Sequence, residues 1–175
     1  MRKMAWMGLA ILAGCSDGST QNVAAPAAEQ LHAGQWEIAS EVLSMKSADK
    51  GVPAIKLAAG SKSTTTSCIA KDEVARPQAS LFAGDGKTCS YDRFYMTDGD
   101  LSAATTCRQK NLDGTINSSI QGSFTADTFT ATVTTATYLT GSGDVQMTTK
   151  LSGRRIGECP AGEAAGPAAT APSKG

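Results

Sequence analysis

Four cysteines of this 175-residue chain have the side chains best suited to covalent chemistry: Cys68, Cys89, Cys107 and Cys159. Zinc sites built from cysteine usually contain two cysteines separated by two residues, and none of these four has such a neighbour. In an exported chain, an even number of cysteines indicates disulfide bonds instead. The sequence therefore predicts two disulfides and no metal site.

The pairing of these cysteines can be argued from a turn. The Asp-Gly-Asp sequence at 98–100 is typical of a turn, and Cys89 and Cys107 lie nine and seven residues from its two ends. An antiparallel hairpin around this turn would bring their sulfurs within bonding distance. Cys68 then pairs with Cys159 by elimination. Because four cysteines allow three connectivities, other pairings, such as Cys68 with Cys89, stay open at this point.

The fifth cysteine, Cys15, ends a segment with the features of an export signal. Arg2 and Lys3 precede an apolar run at 4–13, which is too short to span a membrane as a helix. The Leu-Ala-Gly-Cys sequence at 12–15 resembles the lipobox of bacterial lipoproteins, in which a peptidase cuts before the cysteine and the cysteine carries the lipid, including palmitate. This resemblance implies that the protein is exported, that a lipid anchors it to a membrane, and that its cysteines lie in an oxidising environment.

These features predict a lipoprotein signal peptide at 1–14 and a lipidated tether at 15–28. The protein would then be a lipid-anchored protein of the cell envelope that faces the periplasm. Ser16 follows the cysteine, and by resemblance to lipoprotein sorting this favours the outer membrane over the inner membrane. The membrane would be a partner through the lipid on Cys15.

Candidate catalytic groups are few. His32 is the single histidine of the chain, and it lies just before the first predicted strand without a recognisable nucleophile beside it. Asp98 and Asp100 could act as an acid–base pair or bind calcium, but aspartates are common in turns for conformational reasons. No glycine-rich phosphate loop is present. We therefore expect a protein that is not an enzyme and that needs no cofactor.

The charged residues argue against binding to nucleic acid. The chain has 16 lysines and arginines and 16 aspartates and glutamates, and removal of residues 1–14 leaves 14 against 16. The basic residues are dispersed along the sequence rather than clustered. A nucleic-acid-binding protein needs a basic face that displaces counterions, and we expect none here.

The elements that must position these residues are strands. Apolar and polar residues alternate through much of the segment 29–159, and aromatic residues make up only 5% of the chain. Turn sequences separate the alternating stretches. The pattern predicts an all-β domain at 29–159, an antiparallel meander of seven to eight strands that closes into a small barrel or forms a strongly curved sheet. The predicted strands cover 34–44, 63–70, 88–97, 101–110, 115–124, 128–138 and 145–153.

Three segments depart from the alternation. The segment 46–62 is predicted to be a long loop. A proline limits the segment 71–82 to a turn or two of helix, from which Leu81 and Phe82 could plug one end of the sheet. The tail at 160–175 consists largely of alanine, glycine and proline, and it is predicted to be disordered.

A tryptophan and two arginines suggest how the sheet could close. Gly34-Gln35-Trp36 opens the first predicted strand, and Arg154 and Arg155 follow the last. The pattern loosely resembles lipocalin-like barrels, in which such a tryptophan packs against an arginine from the end of the barrel. We expect Trp36 with Arg154 or Arg155 at a barrel seam. The alternative is a core tryptophan with an unrelated, exposed arginine.

A wider pattern extends over the predicted domain. It consists of Gly34 and Trp36, Thr66-Ser67-Cys68-Ile69, Cys89-Ser90-Tyr91, Asp98-Gly99, Cys107, Gly122, and the sequence Ser-Gly-Arg-Arg-Ile-Gly-Glu-Cys at 152–159. In these residues and their spacing, the segment 30–159 resembles a family of small proteobacterial envelope proteins, domain of unknown function 3617. The resemblance implies an exported, disulfide-bonded β domain, and it carries over no catalytic residue.

Two functions fit such a domain. The first is the binding of an apolar small molecule or lipid inside the curved sheet, lined by inward residues such as Trp36, Ile38, Phe129 and Val133. The second is a protein-interaction module, such as an envelope accessory or an inhibitor of a hydrolase, acting through the loop at 46–62. The volume inside the sheet separates them, because an interior packed solid with side chains would exclude the first.

Overall fold

The structure of the protein is a computed structural model that describes residues 30–84, 86–161 and 167–168. The predicted signal peptide, Cys15 and the tether lie outside the described residues, and so does most of the C-terminal tail. What the sequence predicts for these segments therefore stays a prediction.

The described residues form one antiparallel sheet and one short helix. The elements are β1 (Gly34–Ser47), β2 (Lys62–Ile69), α1 (Ser80–Ala83), β3 (Lys87–Thr97), β4 (Asp100–Gln109), β5 (Gly114–Phe124), β6 (Thr128–Leu139), β7 (Val145–Gly157) and β8 (Pro167–Ala168). All seven predicted strands are present, with ends that differ from the prediction by at most four residues. Within this part of the chain, no helix has the length and apolar character that crossing a membrane requires.

The alternation in the sequence determines which side of each strand is buried. In β6, Phe129, Ala131, Val133 and Thr135 are buried, while the threonines between them are exposed. Successive side chains of a strand point to opposite faces, so a period of two places one set inside the sheet and the other in solvent. The concave face of the sheet is therefore assembled from every second residue.

The strands follow the order β3-β4-β5-β6-β7-β1-β2-β8. From β3 to β7 the order is that of the chain, which confirms the predicted meander. β1 pairs with β7 on one side and with β2 on the other, antiparallel in both cases. The first two strands of the chain therefore lie in the sheet beyond β7, the last long strand.

The sheet curls strongly but does not close, so the β-barrel alternative is wrong and the curved sheet is right. β3 stands at one end of the strand order and β2 and β8 stand at the other, and no pairing among the described residues joins the two ends. The outer edge of β2 pairs instead with β8, through Thr66 and Ser67. β8 therefore occupies part of the edge along which a ring would have to close.

An aromatic cluster fills one end of the interior. The rings of Trp36 and Phe129 stack with centroids 5.9 Å apart, and Phe82 of α1 meets Phe129 edge-on at 5.3 Å. Leu81 and Phe82 are 6% and 2% exposed, so these residues plug the sheet as the sequence predicts. Gly153 of β7 leaves room for the cluster, because a Cβ at this position would overlap the Phe129 ring.

Both disulfides are present in the predicted pairing. Cys89 and Cys107 are direct cross-strand partners in the β3–β4 hairpin, with Cα atoms 4.0 Å apart. Cys68 of β2 is bonded to Cys159, which follows β7, with a Cα–Cα distance of 5.6 Å. The second bridge ties an edge strand to the end of the domain.

The segment between β1 and β2 is a loop, as predicted, although β1 extends further into it. Asp49 holds this loop. Its Oδ1 accepts a hydrogen bond from the Gly51 N–H at 2.8 Å, and its Oδ2 accepts one from the Asp144 N–H at 3.0 Å. The loop is therefore tied to the turn between β6 and β7.

Candidate ligand-binding cavity

The concave face of the curled sheet surrounds a cavity of about 760 Å³. Strands β1, β2, β5, β6 and β7 form its walls, and α1, the loop residues 54–57 and the turn residues 109–112 complete them. The inward residues of two central strands illustrate the lining: Ile38, Ser40 and Val42 in β1, and Met147, Thr149 and Leu151 in β7.

The inner end of the cavity is largely apolar, with Ser67 of β2 as its polar member. Ile38, Val133 and Leu151 line it and are at most 6% exposed, and Phe82 of α1 contributes its ring. These side chains belong to the same core cluster as Trp36. Phe82 therefore forms the floor of the cavity with the other two rings of the aromatic cluster behind it, and the walls next to it suit a hydrocarbon.

Short hydroxyl side chains line the walls beyond this apolar end. Ser118 and Thr135 are register partners on β5 and β6, and they hydrogen-bond to each other at 2.9 Å. Thr149 of β7 also lines the cavity and is 9% exposed. An interior packed to the usual protein density would need larger side chains at such positions. The cavity owes part of its volume to these small residues.

Four lysines line the cavity from strand ends and loops. Lys56 lies in the loop, Lys62 and Lys87 begin β2 and β3, and Lys110 follows β4; all four line the cavity. The lining that the structure describes includes no aspartate or glutamate. The Nζ of Lys62 lies 3.7 Å from Oε2 of Glu41, on the outer side of the lining. We call these four residues the lysine rim.

The four side chains that the sequence predicts as cavity lining have two different roles. Ile38 and Val133 line the cavity. Trp36 and Phe129 face inward as well, but they are 0% and 1% exposed inside the aromatic cluster. Alternation identifies the inward face of a strand, whereas the packing of its neighbours decides which inward residues border open space.

The predicted contact between tryptophan and arginine takes another form. β1 and β7 do meet, but inside a continuous sheet rather than at a barrel seam. Trp36 is the register partner of Arg155, whose Nε donates to the carbonyl oxygen of Ala33 at 2.8 Å. Arg154 donates from its Nε to Oε1 of Glu37 at 2.9 Å. The arginines thus bind backbone and carboxylate groups, while Trp36 is a core residue.

The candidate catalytic groups are not part of the described cavity lining. Nδ1 of His32 is 3.0 Å from Oδ1 of Asp127, with side chains 62% and 59% exposed. Asp98 and Asp100 border the β3–β4 turn, where Asp98 has a positive φ of 54°. Among the residues that the structure describes, no group of three His, Cys, Asp or Glu side chains could hold a metal ion. That the protein is not an enzyme stays a prediction.

Tyr91 of β3 connects the sheet to the segment before α1. Its hydroxyl donates a hydrogen bond to the carbonyl oxygen of Pro77 at 2.9 Å, and the guanidinium of Arg76 lies 5.3 Å from its ring centroid. Burial raises the pKa of the Tyr91 hydroxyl above its usual range, and the charge of Arg76 acts in the opposite direction. The hydroxyl therefore stays protonated and acts as a structural donor.

Comparison with known proteins agrees with the extent of this fold. A family model described as "Protein of unknown function (DUF3617)" matches residues 31–159. No curated protein and no solved structure matches the chain. The matched segment contains every strand from β1 to β7 and both disulfides.

Proposed function

The chain belongs to the DUF3617 family, and from the geometry of its curled sheet we propose that it is a non-catalytic protein that binds an apolar or amphiphilic small molecule. The observation that carries this proposal is the open interior of about 760 Å³. Pockets for small molecules usually measure about 300–1,000 Å³ and have mainly apolar walls with a few polar groups. The apolar inner end and the hydroxyls of Ser118, Thr135 and Thr149 fit this description.

The binding function is tested by filling the cavity. In Thr149→Phe, the ring would occupy the space beside Leu151, so we expect the affinity for an uncharged apolar fluorescent probe, N-phenyl-1-naphthylamine, to fall at least about tenfold, equivalent to about 1.4 kcal/mol. The measurement is a fluorescence titration of the full chain carrying Cys15→Ser, in buffer without detergent.

The matched control for this variant is Thr134→Phe. Thr134 lies on the neighbouring strand and pairs in register with Thr148, but its side chain is exposed on the convex face. Thr134→Phe places the same ring outside the cavity, so the affinity for the probe should stay unchanged. Equal affinities of the two folded variants would contradict binding in the cavity.

The location of the domain is part of the same proposal. A lipid on Cys15 would hold the sheet at the periplasmic side of the outer membrane, where amphiphilic molecules are close by. The proposal includes no role for nucleic acid, since the chain has equal numbers of basic and acidic residues.

The anchor is tested by Cys15→Ser. Without the thiol no lipid can be attached, so we expect a soluble or unprocessed protein in place of one that sediments with membranes. Metabolic labelling with palmitate and membrane fractionation measure this directly. Unchanged labelling and sedimentation would contradict the lipoprotein assignment, while leaving ligand binding by the domain unaffected.

A second candidate is a protein-interaction module that uses the loop after β1. The loop exposes Val52 by 76% and Leu57 by 45%, and Asp49 ties it to the β6–β7 turn. Exposed apolar residues on a held loop are suited to contact with another protein. Capture of an envelope protein through this loop, together with no probe binding, would favour this candidate.

A further inference from the structure

Taking the proposed function as its basis, we infer that the ligand is an amphiphile with one hydrocarbon chain and an anionic head group, and that the lysine rim binds the head. The chain would lie in the apolar inner end of the cavity. Two features support this: the lysines of the lining, which come from both sides of the cavity, and the apolar side chains of its inner end.

The charge of the cavity lining differs from that of the chain. The chain carries 16 basic and 16 acidic residues, so an average surface would show both signs. The described lining instead holds the four lysines of the rim and no acidic residue. A cleft lined by one sign of charge attracts ligands of the opposite sign. This segregation favours an anion over a neutral or cationic ligand.

The rim residues come from both sides of the opening. Lys62 begins β2, near one edge of the sheet, and Lys87 begins β3 at the other edge. Lys110 also lines the cavity on the β3 side, and Lys56 also lines it on the β2 side. Because the sheet curls without closing, lysines from its two ends line the same cavity. The gap that prevents a barrel therefore leaves a lysine without an ion pair among the described residues on each side of the cavity, Lys56 on the β2 side and Lys110 on the β3 side.

Two rim residues have charges that no acidic side chain of the described residues offsets. Lys56 and Lys110 are exposed, and neither forms an ion pair within the described part of the chain. Lys62 lies beside Glu41, and Lys87 donates from Nζ to the carbonyl oxygen of Ala83 at 2.7 Å. Lys56 and Lys110 are thus the pair best placed to bind an added anion.

Beyond the inner end, the cavity walls alternate between hydroxyl and apolar side chains. On β6, Val133 is followed by Thr135 in the direction away from Phe129. On β7, the apolar Leu151 is likewise followed by Thr149 in this direction, and the apolar Met147 comes next. An amphiphile matches this lining, since its chain would replace water along the apolar side chains while its head stays near the lysines. The volume lies within the range of pockets that hold one small-molecule ligand.

The experiment compares three ligands with the same chain and different heads. Dodecanoate, dodecanol and dodecylamine compete for the fluorescent probe on the full chain carrying Cys15→Ser, in buffer without detergent. We expect dodecanoate to bind at least about tenfold more tightly than dodecanol, and dodecylamine to bind most weakly. Acetate is the fourth ligand, and we expect no competition from it, since it lacks the chain.

The role of the rim is measured with the double variant Lys56→Gln, Lys110→Gln. We expect its affinity for dodecanoate to fall to that for dodecanol, while the affinity for dodecanol stays unchanged. The matched control is Lys46→Gln, Lys150→Gln, which removes the same charge from two exposed lysines outside the lining. This control should retain the preference for dodecanoate, and higher salt should reduce that preference.

The outcomes separate this inference from the function on which it depends. Equal binding of dodecanoate and dodecanol, or tighter binding of dodecylamine, overturns the anionic head group and leaves a cavity for apolar ligands. Competition by acetate as strong as that by dodecanoate overturns the amphiphile, because the lysines would then bind free anions. Binding of none of the ligands, the probe included, overturns both proposals.

Discussion

Replacing Trp36 with alanine is expected to lower the free energy of unfolding by about 3–5 kcal/mol, the usual cost of removing a large aromatic side chain from a core. The indole is fully buried and stacks on Phe129, and its Nε1 donates to the carbonyl oxygen of His32 at 3.1 Å. The variant would lose the buried area and leave a void below the cavity floor. Urea denaturation followed by far-UV circular dichroism measures the change.

The control for this variant is Tyr138→Ala. Tyr138 lies on β6, and its side chain is 60% exposed. A substitution at such a surface position usually changes stability by less than about 0.5 kcal/mol. A loss of similar size in both variants would show that Trp36 does not organise the core. Apolar-probe binding should also weaken in Trp36→Ala, since Phe129 loses its partner and the floor can shift.

Removing the Cys68–Cys159 disulfide is expected to cost about 4–5 kcal/mol, and removing Cys89–Cys107 about 3 kcal/mol. The reason is loop length in the unfolded chain. The first bridge closes a separation of 91 residues and the second one of 18, and a longer closed loop restricts the unfolded chain more strongly. Paired serine substitutions at each bridge, compared by urea denaturation without reductant, measure the two losses.

The position of the longer bridge adds a functional consequence. Cys68 and Gly157 pair with Gln35 of β1 from opposite sides, so the bond to Cys159 passes over the start of β1. It holds β2, an outer wall of the cavity, against the rest of the sheet. We therefore expect the double variant Cys68→Ser, Cys159→Ser to bind the apolar probe more weakly than Cys89→Ser, Cys107→Ser. A smaller loss of stability in Cys68→Ser, Cys159→Ser than in Cys89→Ser, Cys107→Ser would contradict the dependence on loop length.

The strands and the shorter disulfide could be predicted because both depend on local sequence. A period of two, as in β6, needs only a dozen consecutive residues to be recognised. Cys89 and Cys107 lie close together because one turn sets the register of one hairpin. The longer bridge followed from the shorter one by elimination, once Cys15 was set aside for the lipid.

The lysine rim could not be predicted, since its members are dispersed along the chain. Lys56 and Lys110 are far apart in sequence, and nothing around either residue marks it as part of a site. Three members of the rim share one local feature, since Lys62, Lys87 and Lys110 lie within one residue of a strand end. Strand ends meet at the rims of a curved sheet, but which ends meet depends on strand order.

By itself, the sequence determined an all-β domain with two disulfides, the inward face of each strand, and membership of a family with this cysteine pattern. These properties depend on the alternation of side chains, on turns and on covalent pairing, which are written in neighbouring residues. Only the tertiary structure decided that the sheet stays open, that about 760 Å³ inside it remains unfilled, and that four lysines line that space. Those properties depend on how distant strands pair and how their side chains share one interior, and no local pattern specifies either.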